Sequence, residues 1–574
     1  MPDAYSVLLQ KLQTAFDAVS PGADPVLRAS DRADFQANGA LALSKQVGRS
    51  PREVAEVVVA AAGDWSAVCS AVEISGPGFI NLTLADDFIS DQLAAVGSDP
   101  RFGVPVTPRP QTMVIDYSGP NVAKEMHVGH LRSTVIGDAL ARLLGFLGHR
   151  VLRENHIGDW GTPFGMLIEQ LVEQGGSGSA ESFSVRDLNE FYAQARQRFD
   201  SDPAFADRCR QRVVLLQNGD IETLRLWQIF VAESTRHNDE VYSMLGVLLT
   251  DDDIVGESFY NPLLPVVVEE LAARDLLVEH DGAQCVFPDG FTNRQGDPLP
   301  LIVRKSDGAF GYPATDLACI RDRTMRRGAT TLLYVVGNEQ SLHFRLVFAV
   351  AALAGYLPDA ASAVHVGFGL VLGTDGKKKA SRDGTSERLI DLLTEAVDRA
   401  TVSMEARPSD LSTERRAQVA HALGIGAVKY ADLSTERMRD YVFDWDRMLA
   451  SEGDTGPYLQ YAHARIRSIF RRGEVAPPQP GTRPQVAEPA EHALGLKLLE
   501  FPAAIEAAAE AYSPAKLCTY LLELASTFTT FYEGCRVLVD DEAIRTSRLA
   551  QCDLTARVLA QGLSLLGMEA PDQM

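Results

Sequence analysis

One stretch constrains the fold more than any other: Gln111 to Gly145, QTMVIDYSGPNVAKEMHVGHLRSTVIGDALARLLG. Met113-Val114-Ile115 is a short apolar run that reads as a buried strand. Asp116 to Gly119 leave that strand, and Pro120 forbids its continuation. His127-Val128-Gly129-His130 follows. Leu131, Val135, Ala139, Leu140, Leu143 and Leu147 then recur at helical spacing. The two histidines therefore stand where a strand has ended and a helix begins. An open α/β sheet binds its ligand there, with helix N–H groups aimed at phosphate. His130 follows His127 at i+3, so both face one way. Gly129 between them lets a flat ring approach the backbone. A bare His-x-Gly-His is also compatible with packing histidines, since short motifs have many false matches.

A second stretch shifts the balance. After a predicted strand, Val364 to Leu372, comes Gly373-Thr374-Asp375-Gly376-Lys377-Lys378-Lys379-Ala380-Ser381-Arg382. A glycine-bearing loop with three lysines and an arginine suits a polyphosphate that must be gripped and then released. Two such signals at opposite ends of one α/β region disfavour a plain solvated turn. No Gly-x-Gly-x-x-Gly or Walker loop occurs, so dinucleotide and P-loop chemistry are not supported.

A chain of 574 residues, 46% of them hydrophobic, allows about three domains with real cores. No apolar run reaches membrane-spanning length. The N-terminus lacks the basic start and cleavage site of a signal peptide. Seven cysteines are scattered without a C-x-x-C pair, so neither disulfides nor zinc are expected. A cytoplasmic, soluble protein is expected. The net charge of −23 argues against a nucleic-acid partner. If one binds, basic residues must gather on one face and binding must be salt-sensitive.

Taken in order, residues 1–105 read as a small α+β domain. Tyr5 to Val19 is helical in period, and Ser50-Pro51 opens a second helix as N-cap and first residue. Strands around 71–74 and 79–82 flank the turn Ser75-Gly76-Pro77-Gly78. Residues 106–386 alternate strand and helix, which predicts a parallel sheet with right-handed crossovers. Helices are expected over Val185 to Arg198 and Glu222 to Leu249, after a flexible Gly175 to Ser179. The sheet is expected to resume at 284–287, 301–303 and 332–336. Residues 387–574 read as an all-α bundle, with helices over 427–433, 458–472, 496–511, 517–532 and 546–566.

His127 to His130 resembles the H-I-G-H signature of class I aminoacyl-tRNA synthetases, and Lys378 to Arg382 resembles their K-M-S-K-S loop. Ser118-Gly119-Pro120-Asn121-Val122-Ala123-Lys124, followed by His-x-Gly-His-Leu-Arg-Ser-Thr, resembles one family, the arginyl-tRNA synthetases. Asp159-Trp160-Gly161, Tyr312-Pro313-Ala314-Thr315-Asp316, Gly456-Pro457-Tyr458-Leu459-Gln460-Tyr461 and the closing Ala570 to Met574 continue the match in order. The resemblance implies a Rossmann-type α/β catalytic domain, a small N-terminal tRNA-contacting domain and a helical anticodon-binding domain. It implies ATP with Mg²⁺, L-arginine and tRNA(Arg) as partners, no organic cofactor, no membrane and a monomer.

By the same resemblance, arginine's carboxylate attacks the α-phosphate of ATP, and the terminal adenosine of tRNA then takes the arginyl group. His127, Gly129, His130, Lys378, Ser381 and Arg382 match the ATP-binding positions. His127, His130 and Lys378 act as phosphate donors. Ser381 stands where a second lysine belongs. Lys124, three residues before His127, is expected to supply the missing cation, with Lys377 or Lys379 as alternatives. Asp116 and Asp316 match the acids that select a guanidinium over an ammonium by bidentate pairing. Asp116 is one methylene shorter than the usual glutamate, and Gly119 replaces a frequent serine. Tyr312 matches the aromatic against the substrate, and Asn121 and Gln340 the α-amino positions. Phe79 and Asn81 match contacts to the tRNA D-loop, where a ring and an amide would meet an unstacked base. Tyr532 and Met574 match positions near a splayed anticodon base. Two other readings remain: a class I synthetase for another amino acid, against which the paired acids argue, and a catalytically silent tRNA-binding paralogue, which would need no phosphate grip.

Overall fold

The structure, a computed structural model, describes residues 4–122, 124–175, 185–379, 387–406 and 411–574. Ser381 and Arg382 lie outside the described residues, as does most of the stretch from Gly175 to Ser179.

The N-terminal domain runs α1 (Ala4–Val19), β1 (Leu27–Ala29), β2 (Phe35–Ala37), α2 (Gly39–Val47), α3 (Pro51–Ala61), β3 (Cys69–Ser75) and β4 (Phe79–Leu84). Its strands form an antiparallel sheet in the order β1-β2-β4-β3. α3 starts where the sequence places it: Ser50 Oγ accepts from Glu53 N, the Glu53 carboxylate accepts from Ser50 N, and Pro51 needs no partner for an N–H it lacks. α4 (Asp86–Ser98) leads out of the domain.

The second region begins with β5 (Thr112–Asp116), α5 (Val128–Phe146) and β6 (Arg150–Glu154). α6 (Thr162–Glu173), α7 (Val185–Ser201), α8 (Pro203–Gln217) and α9 (Ile221–Leu245) form a helical insertion with its own core of Phe164, Phe191, Leu226 and Phe230. α10 (Glu257–Tyr260), α11 (Leu264–Ala272), β7 (Val278–His280), β8 (Ala283–Val286), β9 (Leu301–Arg304) and α12 (Tyr312–Arg321) follow. β10 (Thr331–Tyr334), α13 (Ser341–Leu353), β11 (Ser362–His365) and β12 (Val371–Leu372) complete it. The parallel sheet has the order β11-β10-β5-β6, with Leu333 beside Ile115 and Ile115 beside Arg153. The chain leaves β5 to one side for β6 and returns to its other side for β10. The crevice between the carboxyl ends of β5 and β10 is the place such a sheet reserves for ligand.

β8 and β9 do not join this sheet as expected; they form a separate antiparallel sheet with β7. In β9 burial alternates, with Ile302 exposed between Leu301 and Val303, as in a sheet wet on one face. β5 and β10 are instead buried at successive residues.

The helical part comprises α14 (Leu389–Glu405), α15 (Thr413–Leu433), β13 (Tyr441–Val442), α16 (Trp445–Met448), α17 (Gly456–Gly473), α18 (Pro489–Leu499), α19 (Phe501–Glu510), α20 (Pro514–Gly534) and α21 (Glu542–Leu565). The single helix expected over 496–511 is two, because Pro502 stands at the start of α19 and cannot continue α18. The two parts on either side of 386/387 pack against each other. β13 pairs with β12, and the buried Arg132 of α5 bonds the buried Asp432 of α15 at 3.3 Å and the Arg439 carbonyl at 2.9 Å.

Candidate active site

α5 begins in the crevice with an unusual cap. His127 is its N-cap, in extended conformation, and its Nδ1 accepts from Gly129 N at 3.0 Å. His130 Nδ1 in turn accepts from His127 N at 3.1 Å. The pair is a capping box built from imidazoles. Each Nδ1 acts as acceptor, so a neutral ring carries its proton on Nε2 and presents it as a donor. Burial holds both rings neutral, with His127 and Lys378 adding to the effect at His130, whose pKa falls to about 3. His127 is lowered by burial, then by Lys378 and Lys124. A Cβ on Gly129 would meet the His127 ring at 2.7–2.8 Å. The flat ring for which that glycine makes room is therefore its neighbour's.

β12 leads into a tight hairpin in which Gly373 N bonds the Lys377 carbonyl at 2.7 Å and Lys379 N bonds the Val371 carbonyl at 2.9 Å. Lys378 is exposed on it and acts electrostatically on both histidines. Lys379 pairs with Glu387 at 3.0 Å and lies over the Phe443 ring. Lys124 is exposed, with its ammonium 4.8 Å from the Tyr192 ring centroid, and is near enough to lower His127.

Past β5 the backbone turns through two left-handed residues, Ser118 (φ 72°) and Gly119 (φ 53°). The strain at Ser118 is held by a buried polar net. Ser118 N donates to Ser133 Oγ at 2.9 Å, its hydroxyl meets Tyr242 at 2.7 Å, and Gly119 N donates to Asn155 Oδ1 at 3.0 Å. Glycine at 119 suits this turn, where a Cβ would press on the His156 carbonyl at 3.2 Å. Asn121 follows, exposed, bridging to Gly158. Across the crevice, Gln340 ends a short turn after β10 and caps α13, also exposed.

Tyr312 and Asp316 lie one turn apart on α12, Tyr312 exposed and Asp316 half-buried. Asp316 Oδ2 accepts from His343 Nε2 at 2.6 Å. Asp116, buried at the end of β5, accepts from Arg323 at 2.7 Å. The sequence reading missed three polar neighbours here: Arg323, His343 and Glu257. Burial lifts the Glu257 carboxyl to about 7, His156 opposing and Asp159 and Asp316 adding to the rise. None of the three has a local signature, because each acquires its role only by long-range packing. A hollow of about 1020 Å³ lies elsewhere, between α9, α15 and the C-terminal segment. It contains none of these residues. Converging donors and acids, not volume, mark the site.

Among the described residues no three His, Cys, Asp or Glu side chains group to hold a metal ion, and no helix is long and apolar enough to cross a membrane.

Farther away, Asn81 is buried in β4. Its Oδ1 accepts from Gln36 at 2.7 Å and its Nδ2 donates to Ser75 at 2.9 Å. In the absence of a ligand the Asn81 amide is thus bonded within its own sheet, and Phe79, two residues before it, is half-buried. Tyr532 stacks on Phe528, lies under the Arg465 guanidinium and accepts from Arg472 at 3.4 Å. The C-terminal segment is stapled along α17: Gln460 bonds the Glu569 carbonyl, His463 the Pro571 carbonyl, and Arg467 and Arg471 bond Asp572. Met574 packs partly buried against Ala400, Met404, Val419 and Ala420. Arg465, Arg467, Arg471 and Arg472 gather basic side chains along the second half of α17, and Arg467 also pairs with Asp553.

The parallel sheet, the imidazole cap on its first crossover helix and the lysine hairpin opposite define a class I aminoacyl-tRNA synthetase. The model described as the catalytic domain of class I tRNA synthetases (R) matches residues 94–445. That of the DALR anticodon binding domain matches 459–574, and that of the arginyl tRNA synthetase N terminal domain matches 6–84. The chain belongs to the arginyl-tRNA synthetase family. It is 54% identical over 580 residues to the arginine–tRNA ligase of Thermobifida fusca, covering 100% of each chain. It is 49% identical to that of Frankia casuarinae, over 98% of this chain and 97% of the relative. Its fold is similar to the arginyl-tRNA synthetase of Plasmodium falciparum, with TM-score 0.86, 28% identity and full coverage of both chains. It also resembles that of Thermus thermophilus, with TM-score 0.80 and 25% identity over 99% and 100% of the two chains.

Proposed function

We propose that this chain is an arginine–tRNA ligase that works in two steps with the residues above. In the first, a carboxylate oxygen of L-arginine attacks the α-phosphorus of ATP, the bond to the bridging oxygen breaks, and pyrophosphate leaves. In the second, a ribose hydroxyl of the terminal adenosine of tRNA(Arg) attacks the acyl carbon, loses its proton, and AMP leaves. Neither step needs a protein nucleophile, so positioning and charge stabilisation carry the rate.

The observation that carries this reading is the imidazole cap. Both Nδ1 atoms are occupied by backbone N–H groups. His127 and His130 therefore keep Nε2–H as donors toward the phosphates at any working pH. Lys378 supplies a full positive charge from the other wall, and Lys124 leaves Tyr192 to supply a second. Ser381 and Arg382 complete the phosphate grip in this proposal, and Gly129 keeps the first turn of α5 free of a side chain. The donors around the phosphates are cationic or neutral nitrogens, so a Mg²⁺ would be held by the oxygens of ATP itself and would neutralise part of their charge.

Asp116 and Asp316 receive the substrate guanidinium, Tyr312 packs along its stem, and Asn121 and Gln340 hold the α-amino end. Phe79, Asn81, Tyr532 and Met574 contact tRNA. The catalytic family model spans the whole site, which sets aside the silent tRNA-binding paralogue. A monomer acting in the cytoplasm completes the proposal.

Pyrophosphate exchange tests the first step: ATP is labelled from pyrophosphate in the presence of arginine, with tRNA(Arg) supplied. Exchange supported equally by other amino acids, or by none, would remove the assignment.

A further inference from the structure

Each acid assigned to the substrate's guanidinium has one oxygen already taken. Arg323 is fully buried. Its Nη2 donates to Asp116 Oδ2 at 2.7 Å and to Glu154 Oε1 at 2.9 Å, and its Nε lies 3.2 Å from both Glu154 oxygens. Its guanidinium stands 4.9 Å from the centroid of the Tyr334 ring. Asp116 ends β5, Glu154 ends β6 and Tyr334 ends β10, so one side chain ties three strand ends at the mouth of the crevice. Arg323 belongs to a single π-helical turn, Asp322–Arg326, that continues α12. Such a turn re-aims side chains and recurs at functional sites. The element that carries Asp316 thus also carries the clamp on Asp116.

The second acid is held in the same manner from another direction. His343, on α13, donates Nε2–H to Asp316 Oδ2 at 2.6 Å. Among the described residues, neither Asp116 Oδ1 nor Asp316 Oδ1 has a hydrogen-bond partner. A free carboxylate turns about its Cβ–Cγ bond and can offer both oxygens to one ligand. A carboxylate held by one oxygen offers only the other, in a fixed direction. Two such acceptors on different elements suit a planar cation whose N–H groups point several ways. They suit an ammonium less well, since it is a compact charge on a flexible stem.

We propose that Arg323 and His343 are positioning residues for arginine recognition. Each takes one oxygen of a specificity acid and leaves the other for a separate edge of the substrate's guanidinium. The inference rests on the assignment of Asp116 and Asp316 made above, and replaces a single bidentate pair by two single-oxygen contacts.

The test is steady-state aminoacylation by the full chain, with KM for arginine and for ATP measured separately. His343→Leu should raise the arginine KM about tenfold, the scale of a lost hydrogen bond to a charged group, and leave the ATP KM unchanged. His343→Gln keeps a donor and should recover most of that loss. In an Asp316→Asn background, His343→Leu should add little, because its target is already altered. Arg323→Met risks the fold, so Arg323→Lys is the informative change. It keeps the charge but not the fork across two acids, and should raise the arginine KM alone. Multiplicative effects of His343→Leu and Asp316→Asn, or an equal rise in both KM values, would overturn the proposal. An Asp316→Asn enzyme with unaltered arginine KM would instead show that the acid itself was misassigned.

Discussion

His492 is the contact whose consequence can be worked most fully from the structure. It lies on α18 and reaches into the N-terminal domain. Its Nδ1 is 2.7 Å from Asp86, and its Nε2 is 3.1 Å from both oxygens of Asp34. Asp34 also accepts from Leu84 N at the end of β4, so it is not free to turn away. The bond to Asp34 raises the imidazole pKa from 6.5 to about 8, burial opposing and Asp86 adding. Docked, the group holds its proton more tightly than when the domains part. The stabilisation is therefore fully present below pH 6.5 and lost as pH rises through 8. At 1.36 kcal/mol per pKa unit the difference is about 2 kcal/mol, or roughly thirtyfold in a local opening constant. Burial holds His127, His130, His237, His365 and His463 below 6.5, so they act only at lower pH, with the opposite sign. Glu257 and Lys429 titrate nearer this window, but they are common to the wild type and to His492→Gln and cancel in the comparison. Amide exchange over α4 and α18 reads the opening directly. The wild type should be protected about thirtyfold more, relative to His492→Gln, at pH 6 than at pH 9. A protection ratio that is the same at both pH values would refute the reasoning.

Lys124→Ala should slow adenylate formation in single-turnover experiments by about 10²–10³, the effect of removing one transition-state donor, with arginine affinity little changed. Adding Ser381→Lys should return part of the rate; an unslowed Lys124→Ala enzyme would show that the lysine serves only its contact with Tyr192. Removing Asp572 to Met574 releases Arg467 and Arg471 from the tail and should raise the tRNA KM while leaving arginine binding intact. If the shortened enzyme still discriminates anticodon variants as before, the tail does not read the anticodon.

The site's frame was legible because its parts are local. A buried strand, a proline that stops it and a histidine pair at a helix start are all written within Gln111 to Gly145, and Ser50-Pro51 announces α3 in the same way. What could not be read depends on partners far apart in the chain. Arg323 lies 207 residues from Asp116 and His343 lies 27 from Asp316. Without them the two acids look free to grip a guanidinium with both oxygens. The three lysines of the hairpin look equivalent in sequence until Glu387 and Phe443 claim Lys379. The placing of β8 and β9 outside the parallel sheet likewise turns on pairing partners, which an apolar run of four residues does not name. Asn81 suits a base by type, and its bonds to Gln36 and Ser75 within its own sheet are again set by pairing that the local sequence does not name.

The central claim is the joining of arginine to tRNA, and acylation of the terminal adenosine measures it directly. The purified chain is incubated with ATP, Mg²⁺, tRNA from its source and each labelled amino acid in turn. The account predicts arginine on the tRNA, with one AMP and one pyrophosphate released per arginyl group. Charging with a different amino acid, or ATP-dependent binding of tRNA without any acylation, would contradict it.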